Sequence, residues 1–235
     1  MKNISPSACP HDCPSTCALE IQHTKEKLLF LRGSRENSYT KGVICAKVSR
    51  YRERTHNNKR LKFPMKRSGN KGEGRFKKIS WNEAIRILVE NLNNITSKYG
   101  SSAIWPYYYA GTMGLLQRDS INKLRHYFNF SGQYSTICNT LPQAGWLAGV
   151  GSLIGTDPRE IIDSKVIIMW GGNPASTQVN FMKHIQAARK NNNAKLIVVD
   201  PYLTKTAKLA DIHIKLFPGT DGALACAIMH NLIKK

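Results

Sequence analysis

The chain has 235 residues, of which 41% are hydrophobic, and it carries 35 lysines and arginines against 15 aspartates and glutamates. This composition excludes a wholly disordered chain, and no apolar run approaches the roughly 18 residues that a membrane-spanning helix needs. The net charge of +20 indicates a polyanionic partner (nucleic acid, phosphates or an acidic protein), unless the lysines form only a solvated face.

The first residues, MKNISPSAC, contain no apolar export signal and no twin arginine, so we expect a cytoplasmic protein without a membrane segment. Six cysteines in such a chain favour metal or redox chemistry over disulfides. Residues 47–78 hold thirteen lysines and arginines against two glutamates, a local charge of +11. Because no nucleic-acid-binding module accompanies this stretch, the sequence disfavours nucleic acid as the partner.

The predicted elements begin with short strand-like stretches in residues 1–60, such as KLLFLRG (27–33), and no long helical pattern occurs there. Residues 61–79 are rich in Gly, Lys and Arg and predict a basic, exposed linker. Residues 80–235 then alternate between helical and strand patterns, which predicts an α/β domain.

In this third region a capping box, Ser80 with Glu83, predicts an amphipathic helix that ends at Gly100. AIWPYYY (103–109) predicts a strand, and residues 117–128 a second amphipathic helix.

The clearest unit follows: KVIIMWGG (165–172), a helical stretch near 177–192, and AKLIVVDP (194–201). Two short apolar runs separated by a crossover helix are typical of buried parallel strands. HIKLF (213–217) adds a strand, and DGALACAIMHNLI (221–233) predicts a terminal helix whose Cys226 we expect in the core.

The cysteines form a constellation of their own. Cys9, Cys13 and Cys17 stand at every fourth position in CPHDCPSTC, and Cys45 follows after a gap of 27 residues. Four thiolates can hold a [4Fe–4S] cluster or a structural zinc ion. Three clustered cysteines with one remote partner favour iron–sulfur ligation, with zinc and unliganded thiols as alternatives. His11, inside this loop, is either a further ligand or a solvent-facing residue.

CPHDCPSTCAL and KGVICAKVSRY resemble the N-terminal cluster domain of the molybdopterin oxidoreductases, the dimethyl-sulfoxide-reductase or formate-dehydrogenase-like family that binds two molybdopterin guanine dinucleotides. Further segments fit this family in the same order: YAGTMG (109–114), TIC (136–138), GTDP (155–158), WGGNP (170–174), VVDPYLTKTAKLAD (198–211) and PGTDGAL (218–224). The resemblance covers the whole chain, but only the N-terminal portion of such an enzyme. It implies an α/β fold: a small N-terminal iron–sulfur domain with short strands, then a Rossmann-like parallel α/β domain that is incomplete at the C-terminus.

The resemblance also implies roles for single residues. Cys9, Cys13, Cys17 and Cys45 match the ligands of a [4Fe–4S] cluster, and Lys47 matches the lysine that lies between cluster and pterin. A sixth residue, Cys138, matches the segment that coordinates molybdenum (or tungsten), with a small core cysteine as the alternative.

The second implied cofactor is a molybdopterin guanine dinucleotide that carries Mo (or W). Ligands of open α/β sheets bind beyond the carboxyl ends of the strands, where WGGNP and VVDP lie. The residues expected to bind it are Gly111, Thr112, Gly171, Gly172, Asn173, Pro174, Asp200, Thr204, Gly219 and Asp221. Asp200 is placed for ribose hydroxyls and Asp221 for guanine, and Tyr202 departs from the arginine that relatives commonly have after Asp-Pro.

The expected function is therefore that of part of a molybdopterin-dependent oxidoreductase that moves electrons between a small substrate and an external electron carrier. Missing C-terminal domains or a second polypeptide would complete the enzyme, and the chain alone is expected to bind a cluster without turnover. A truncated, non-catalytic iron–sulfur or pterin-binding remnant or assembly module is the alternative, and a basic zinc- or nucleic-acid-binding protein a minor one. Nothing in the sequence selects the substrate.

Overall fold

The computed structural model describes residues 3–11, 13–108, 120–134 and 139–234. The chain forms two units, one of Met1–Cys9, Cys13–Arg50 and Ile154–Lys235 and one of Pro10–Asp12 and Tyr51–Leu153. Each unit combines segments that are distant in the sequence. The three-part domain division expected from the sequence stays a prediction.

The strands of the described residues are β1 (Asn3–Ala8), β2 (Ala18–His23), β3 (Leu28–Gly33), β4 (Met65–Arg67), β5 (Phe76–Lys78), β6 (Val166–Trp170), β7 (Lys195–Val199) and β8 (Ile212–Ile214). Their α-helices are α1 (Ala46–Ser49), α2 (Tyr51–Thr55), α3 (Trp81–Tyr99), α4 (Ser120–Phe128), α5 (Thr140–Val150), α6 (Pro174–Thr177), α7 (Val179–Asn192) and α8 (Asp221–Ile233). Short 3₁₀ helices cover Ser101–Ala103, Pro158–Asp163 and Ala207–Leu209.

In the first unit, β1, β2 and β3 form an antiparallel sheet in that order. β1 pairs with β2 from Asn3 opposite His23 to Ala8 opposite Ala18. The strand period of two turns Leu19 to the interior, where it is buried. The pairing leaves residues 9–17 as the loop that connects the first two strands.

The same unit contains a parallel sheet in the order β6, β7, β8, with α7 as the crossover helix between β6 and β7. Ile167 and Leu196 of the sheet pack with Met182, Ile185 and Ala188 of the helix in one buried cluster. The hydrophobic contact of this helix with the sheet fixes α7, because apolar burial is the main stabilising term for a crossover helix. The predicted parallel α/β arrangement is therefore confirmed.

The second unit contains the β4–β5 hairpin, within the stretch expected to be an exposed linker, and every residue of both strands is exposed. It also contains α3, which begins after Ser80 and ends at Gly100, as the capping signals predict. No residue of α3 is buried among the described residues, and Ile87, Leu92 and Ile95 of its apolar face are half-buried.

Two local predictions are wrong. The segment expected to be a strand at 103–109 is a 3₁₀ helix up to Ala103 and has no regular structure over 104–108. Pro106 in its centre cannot donate a ladder hydrogen bond, which accounts for the loss of the strand. Cys226 is exposed rather than part of the core, since no residue of α8 is buried among those that the structure describes.

The cap of α3 gives a first testable prediction. The Ser80 hydroxyl accepts a hydrogen bond from the Glu83 N–H at 3.1 Å, and Ser80→Ala leaves that donor without its partner. We expect the variant to lose about 1 kcal/mol of unfolding free energy, measured by urea titration of the far-UV circular dichroism. Ser80→Asp keeps an acceptor at this position and should retain the stability; equal losses in both variants would contradict a capping role.

No helix of the described residues is both long enough and apolar enough to cross a membrane.

Candidate functional site

The first three cysteines lie in the loop that joins β1 to β2. The Cys9 N–H donates to the Cys17 carbonyl at 2.9 Å, which continues the β1–β2 ladder by one more pair. Within the loop, the Thr16 N–H donates to the Cys13 carbonyl at 3.1 Å. Cys9 and Cys17 therefore face each other at the base of the hairpin loop, with Cys13 between them.

The fourth cysteine follows a loop that is folded by its own polar groups. The Asn37 side-chain oxygen accepts from the N–H groups of Tyr39 and Thr40, at 3.1 and 2.8 Å, as in an Asx turn. The Cys45 carbonyl then accepts from the N–H groups of Val48 and Ser49, so Cys45 directly precedes the helical turn α1.

Gly33 fixes how this loop approaches the antiparallel sheet. A Cβ added at Gly33 would lie 2.4 Å from the carbonyl oxygen of Gly42. Real Cβ atoms do not come so close to backbone atoms, so only glycine permits this packing of β3 against the loop before Cys45.

The four thiols interact with one another. All four cysteines are free, Cys17 is buried, and Cys9, Cys13 and Cys45 are half-buried. Burial raises the pKa of the Cys17 thiol, and the charges of Cys9, Cys13 and Cys45 raise it further. Four cysteine thiols from two loops of one unit are the kind of donor set that a [4Fe–4S] cluster takes, so the residues present fit a cluster.

Among the residues that the structure describes, no three Cys, His, Asp or Glu side chains surround a single metal-ion position. The ligands of a [4Fe–4S] cluster bind different iron atoms and need not share one centre. His11, considered as a ligand, forms a 2.6 Å hydrogen bond with the Tyr51 hydroxyl through Nε2.

Helix α7 holds the loop before Cys45 through two consecutive side chains, Lys183 and His184. Lys183 Nζ donates to the Thr40 carbonyl at 3.0 Å, and His184 Nε2 donates to the Tyr39 carbonyl at 3.1 Å. The rings of His184 and Tyr39 also stack, with centroids 4.8 Å apart. Burial lowers the pKa of Lys183, with the nearby charge of Lys41 as a second cause. Burial also raises the pKa of Tyr39, followed by the charges of Cys13, Cys17 and Asp157.

Two polar contacts in this region have no signal in the local sequence pattern. The Asn180 side chain lies 3.5 Å from the Cys17 sulfur, although the two residues are 163 positions apart. Arg159 donates to the Ser38 hydroxyl at 2.8 Å and pairs with Asp157. Hydrogen bonds from the Arg159 side chain, and then from its N–H, lower the pKa of Asp157 to about 2.

Lys47 lies two residues after Cys45 in α1 and is exposed. Its neighbour Val48 is buried and anchors the turn. The ammonium group of Lys47 thus lies on the solvent side of the helical turn α1, which Cys45 directly precedes.

The candidate dinucleotide residues gather at one edge of the parallel sheet. β6 ends at Trp170 and β7 at Val199, and the Gly171 N–H donates to the Val199 carbonyl at 2.9 Å. Gly171 has φ of +63°, a conformation that favours glycine, and it turns the chain away from β6 towards α6. Gly171, Gly172, Asn173 and Asp200 therefore follow two adjacent strand ends.

Asn173 is tied to Thr206. Its side-chain oxygen accepts from the Thr206 hydroxyl at 2.8 Å and from the Thr206 N–H at 3.3 Å. The same hydroxyl accepts from the Ala175 N–H at 3.1 Å, just after the buried Pro174. No hydrogen bond of the Asn173 side-chain amide nitrogen to another described residue is present, so its donors are available to water or to a ligand.

Three other residues expected to bind the dinucleotide form hydrogen bonds within the protein. Asp200 is buried, and one of its carboxylate oxygens accepts from the Tyr202 N–H at 3.2 Å. Thr204 is buried, and its hydroxyl accepts from the Ala207 N–H, so it caps a 3₁₀ helix. Asp221 begins α8 and accepts from the Trp170 indole N–H at 2.7 Å, which brings the end of β6 to the start of α8.

Gly219 has φ of +85° in the turn before α8. Three expected residues, Gly111, Thr112 and Cys138, lie outside the described residues. The assignments of all these side chains to cofactors stay predictions.

Comparison with protein families places the chain. Residues 3–57 match the family model described as molybdopterin oxidoreductase Fe4S4 domain, and residues 60–235 match the one described as molybdopterin oxidoreductase. The chain belongs to the molybdopterin oxidoreductase family. The two matched domains imply a [4Fe–4S] cluster and a molybdopterin that carries molybdenum.

Relatives in this family are longer than the chain. It is 37% identical over 233 residues to the probable oxidoreductase YoaE of Bacillus subtilis, with 99% of this chain and 34% of that protein covered. It is 31% identical over 249 residues to the dimethyl sulfoxide reductase DmsA of Haemophilus influenzae, with 97% and 31% covered. The chain thus spans about a third of the length of these relatives.

A solved structure has a similar fold. The acetylene hydratase from Pelobacter acetylenicus superposes with a TM-score of 0.59 at 25% sequence identity, covering 93% of this chain and 30% of that chain.

Proposed function

We propose that the chain is the electron-transfer and dinucleotide-binding part of a molybdopterin-dependent oxidoreductase. Cys9, Cys13, Cys17 and Cys45 hold a [4Fe–4S] cluster, and the parallel-sheet edge holds a molybdopterin guanine dinucleotide. The observation that carries the proposal is the placement of four free cysteines: Cys9 and Cys17 pair across the base of the loop that contains Cys13, and Cys45 follows the loop that α7 holds.

The cluster ligands come from two loops of one unit. The hairpin loop supplies three thiols, and the loop held by α7 supplies the fourth. Since each loop is fixed by backbone or buried side-chain hydrogen bonds, the four sulfurs are preorganised before iron binds, which lowers the entropy lost on binding.

The dinucleotide residues have the chemistry that a pyrophosphate and a ribose require. Gly171 and Gly172 present backbone without side chains, and the Asn173 amide offers N–H donors. The buried Asp200 carboxylate accepts hydrogen bonds from hydroxyl groups. The excess of positive charge supports the same ligand, because the dinucleotide is itself an anion.

Lys47 has a separate role in this proposal. Its ammonium group stands two residues from the ligand Cys45 and stabilises negative charge that arrives at the cluster. When bound, the molybdenum of the cofactor supplies two-electron chemistry on a small substrate. Cys138 is proposed as its protein ligand, Gly111, Thr112, Pro174, Thr204, Gly219 and Asp221 as further cofactor contacts, and an external carrier as the electron partner.

The alternative that the sequence leaves open is a non-catalytic iron–sulfur or pterin-binding module. Both candidates bind the cluster, and they differ in whether additional polypeptide restores turnover. The similar proteins include a dimethyl sulfoxide reductase and an acetylene hydratase, so similarity alone does not choose a substrate.

The test is anaerobic purification of the chain, followed by metal analysis and spectroscopy. We expect about four iron atoms per chain, a broad visible absorption, and an electron paramagnetic resonance signal after reduction with dithionite. Well-folded protein that remains colourless and iron-free, or that holds zinc in its place, would contradict the proposal. Reductase turnover by the chain alone would exclude the non-catalytic candidate.

A further inference from the structure

Asn180 is a buried polar residue that the dinucleotide and cluster ligand sets leave unexplained. It is the second residue of α7 and is 2% exposed. Its side-chain nitrogen lies 3.5 Å from the Cys17 sulfur and 3.3 Å from the Val43 carbonyl oxygen. One side chain therefore touches a proposed cluster ligand and the loop that leads to Cys45.

The chemistry of these neighbours fixes the orientation of the amide. A thiolate sulfur and a carbonyl oxygen are both acceptors, so the NH₂ end must face them. The reversed amide would place its oxygen against two acceptors and would leave both N–H donors unused. In the observed orientation, Oδ1 is buried and has no partner among the described residues.

This arrangement is unfavourable for packing alone. A buried acceptor without a hydrogen bond destabilises the fold, and an apolar side chain of similar size would avoid that loss. The hydrogen bonds that its N–H groups donate therefore account for a polar side chain at this position, and one of these groups points at the Cys17 sulfur.

The donor is held rigidly from both sides. Ile185, on the same helix, is fully buried against the parallel sheet. Lys183 and His184, three and four positions after Asn180, bond to the carbonyls of Thr40 and Tyr39. These contacts fix both the helix and the loop between which the amide is placed.

We propose that Asn180 is a positioning residue that donates an N–H hydrogen bond to the Cys17 thiolate and thereby raises the reduction potential of the [4Fe–4S] cluster. The inference rests on the proposed function, since it assumes that the four cysteines hold a cluster. Reduction adds one electron from a one-electron carrier and moves no proton to Asn180. The added negative charge spreads onto the sulfurs, so a donor at 3.5 Å stabilises the reduced form more than the oxidised form.

The experiment compares the redox properties of matched variants that carry the cluster. Asn180→Leu removes the N–H donors and keeps a similar size, and we expect its midpoint potential to shift to more negative values at unchanged iron content. Asn180→Asp replaces the donor by a negative charge, and we expect a larger shift in the same direction. The potentials are read from dithionite titrations followed by electron paramagnetic resonance.

Asn192→Leu is the control. Asn192 is an asparagine of the same helix, but its side-chain nitrogen donates to the Ile162 carbonyl at 2.7 Å. Its replacement should leave the potential at the wild-type value. An Asn180→Leu variant with four irons and the wild-type potential would overturn the inference, whereas an iron-free wild-type protein would overturn the proposed function instead.

A second measurement does not depend on Asn180→Leu and decides the case if that variant loses its cluster. Wild-type protein labelled with ¹⁵N only at asparagine side chains is reduced and studied by pulsed electron paramagnetic resonance. We expect a ¹⁵N coupling to the cluster that persists in Asn192→Leu. Absence of this coupling in the iron-loaded wild type would overturn the inference.

Discussion

Replacing Cys17 by alanine should reduce the iron content of the anaerobically purified protein from about four atoms per chain to nearly none. Cys17 is 7% exposed and lies near the other three cysteines, whose charges raise its pKa. Its replacement therefore removes a buried ligand of the proposed cluster. A buried position leaves little room for water to replace the missing ligand. Metal analysis by mass spectrometry and the visible absorption together measure this result.

Cys226→Ala is the matched control for that experiment. Cys226 is also a free cysteine of the first unit, but it is exposed on α8. Its replacement should leave the iron content unchanged. Retention of four irons by Cys17→Ala, with a folded far-UV spectrum, would remove Cys17 from the ligand set; equal iron loss in both variants would point to general instability of the protein.

The Ile185→Ala variant is expected to lose about 2–5 kcal/mol of unfolding free energy. Ile185 is fully buried between α7 and the parallel sheet, and truncation leaves a cavity that the packed cluster cannot fill. The midpoint and slope of urea unfolding give this quantity.

Because α7 also holds the loop before Cys45, the Ile185→Ala variant should release iron at lower urea concentrations than the wild type. Ile4→Ala is the comparison, since Ile4 is an isoleucine of the same unit that is exposed on β1. It should change stability by no more than about 0.5 kcal/mol. A loss at Ile4 as large as that at Ile185 would show that burial against α7 is not the source of the effect.

Elements with strong local signals could be predicted from the sequence. The Ser80 cap and Gly100 end bound α3, and the terminal helix occupies 221–233 as expected. β6 and β7 are short continuous apolar runs, and a periodic helix separates them. In each case the spacing of the apolar residues and the residues at the ends predict the same element, so the local sequence is sufficient to predict it.

Other elements depend on information that is not local. The sequence does not predict helix α5 (140–150). Pro142, Gly145 and Gly149 are poor helix formers, and the apolar residues do not fall on one face of the helix. The strand expected at 103–109 fails at Pro106. Cys226 was assigned to the core from its apolar neighbours, yet burial depends on what packs against a helix.

The candidate site divides in the same way. The four cysteines carry a spacing that can be read directly from the sequence, and their assignment as cluster ligands stays a prediction. The contact of Asn180 with Cys17 joins positions 163 residues apart and follows only from the seating of α7 on the sheet. Spacing in sequence reveals ligands that lie in one loop, but not donors supplied by a distant helix.

The position of the first three thiols in one hairpin loop affects the order in which the site can form during synthesis. Pairing of β1 with β2 closes a loop of only nine residues, so it can form on the ribosome soon after these residues emerge. The Cys45 loop gains its side-chain anchor from Asn180 only 137 residues after Val43 has been synthesised. The hairpin can thus close early, whereas the Asn180 contacts with Cys17 and with the loop before Cys45 form only after α7 has been synthesised.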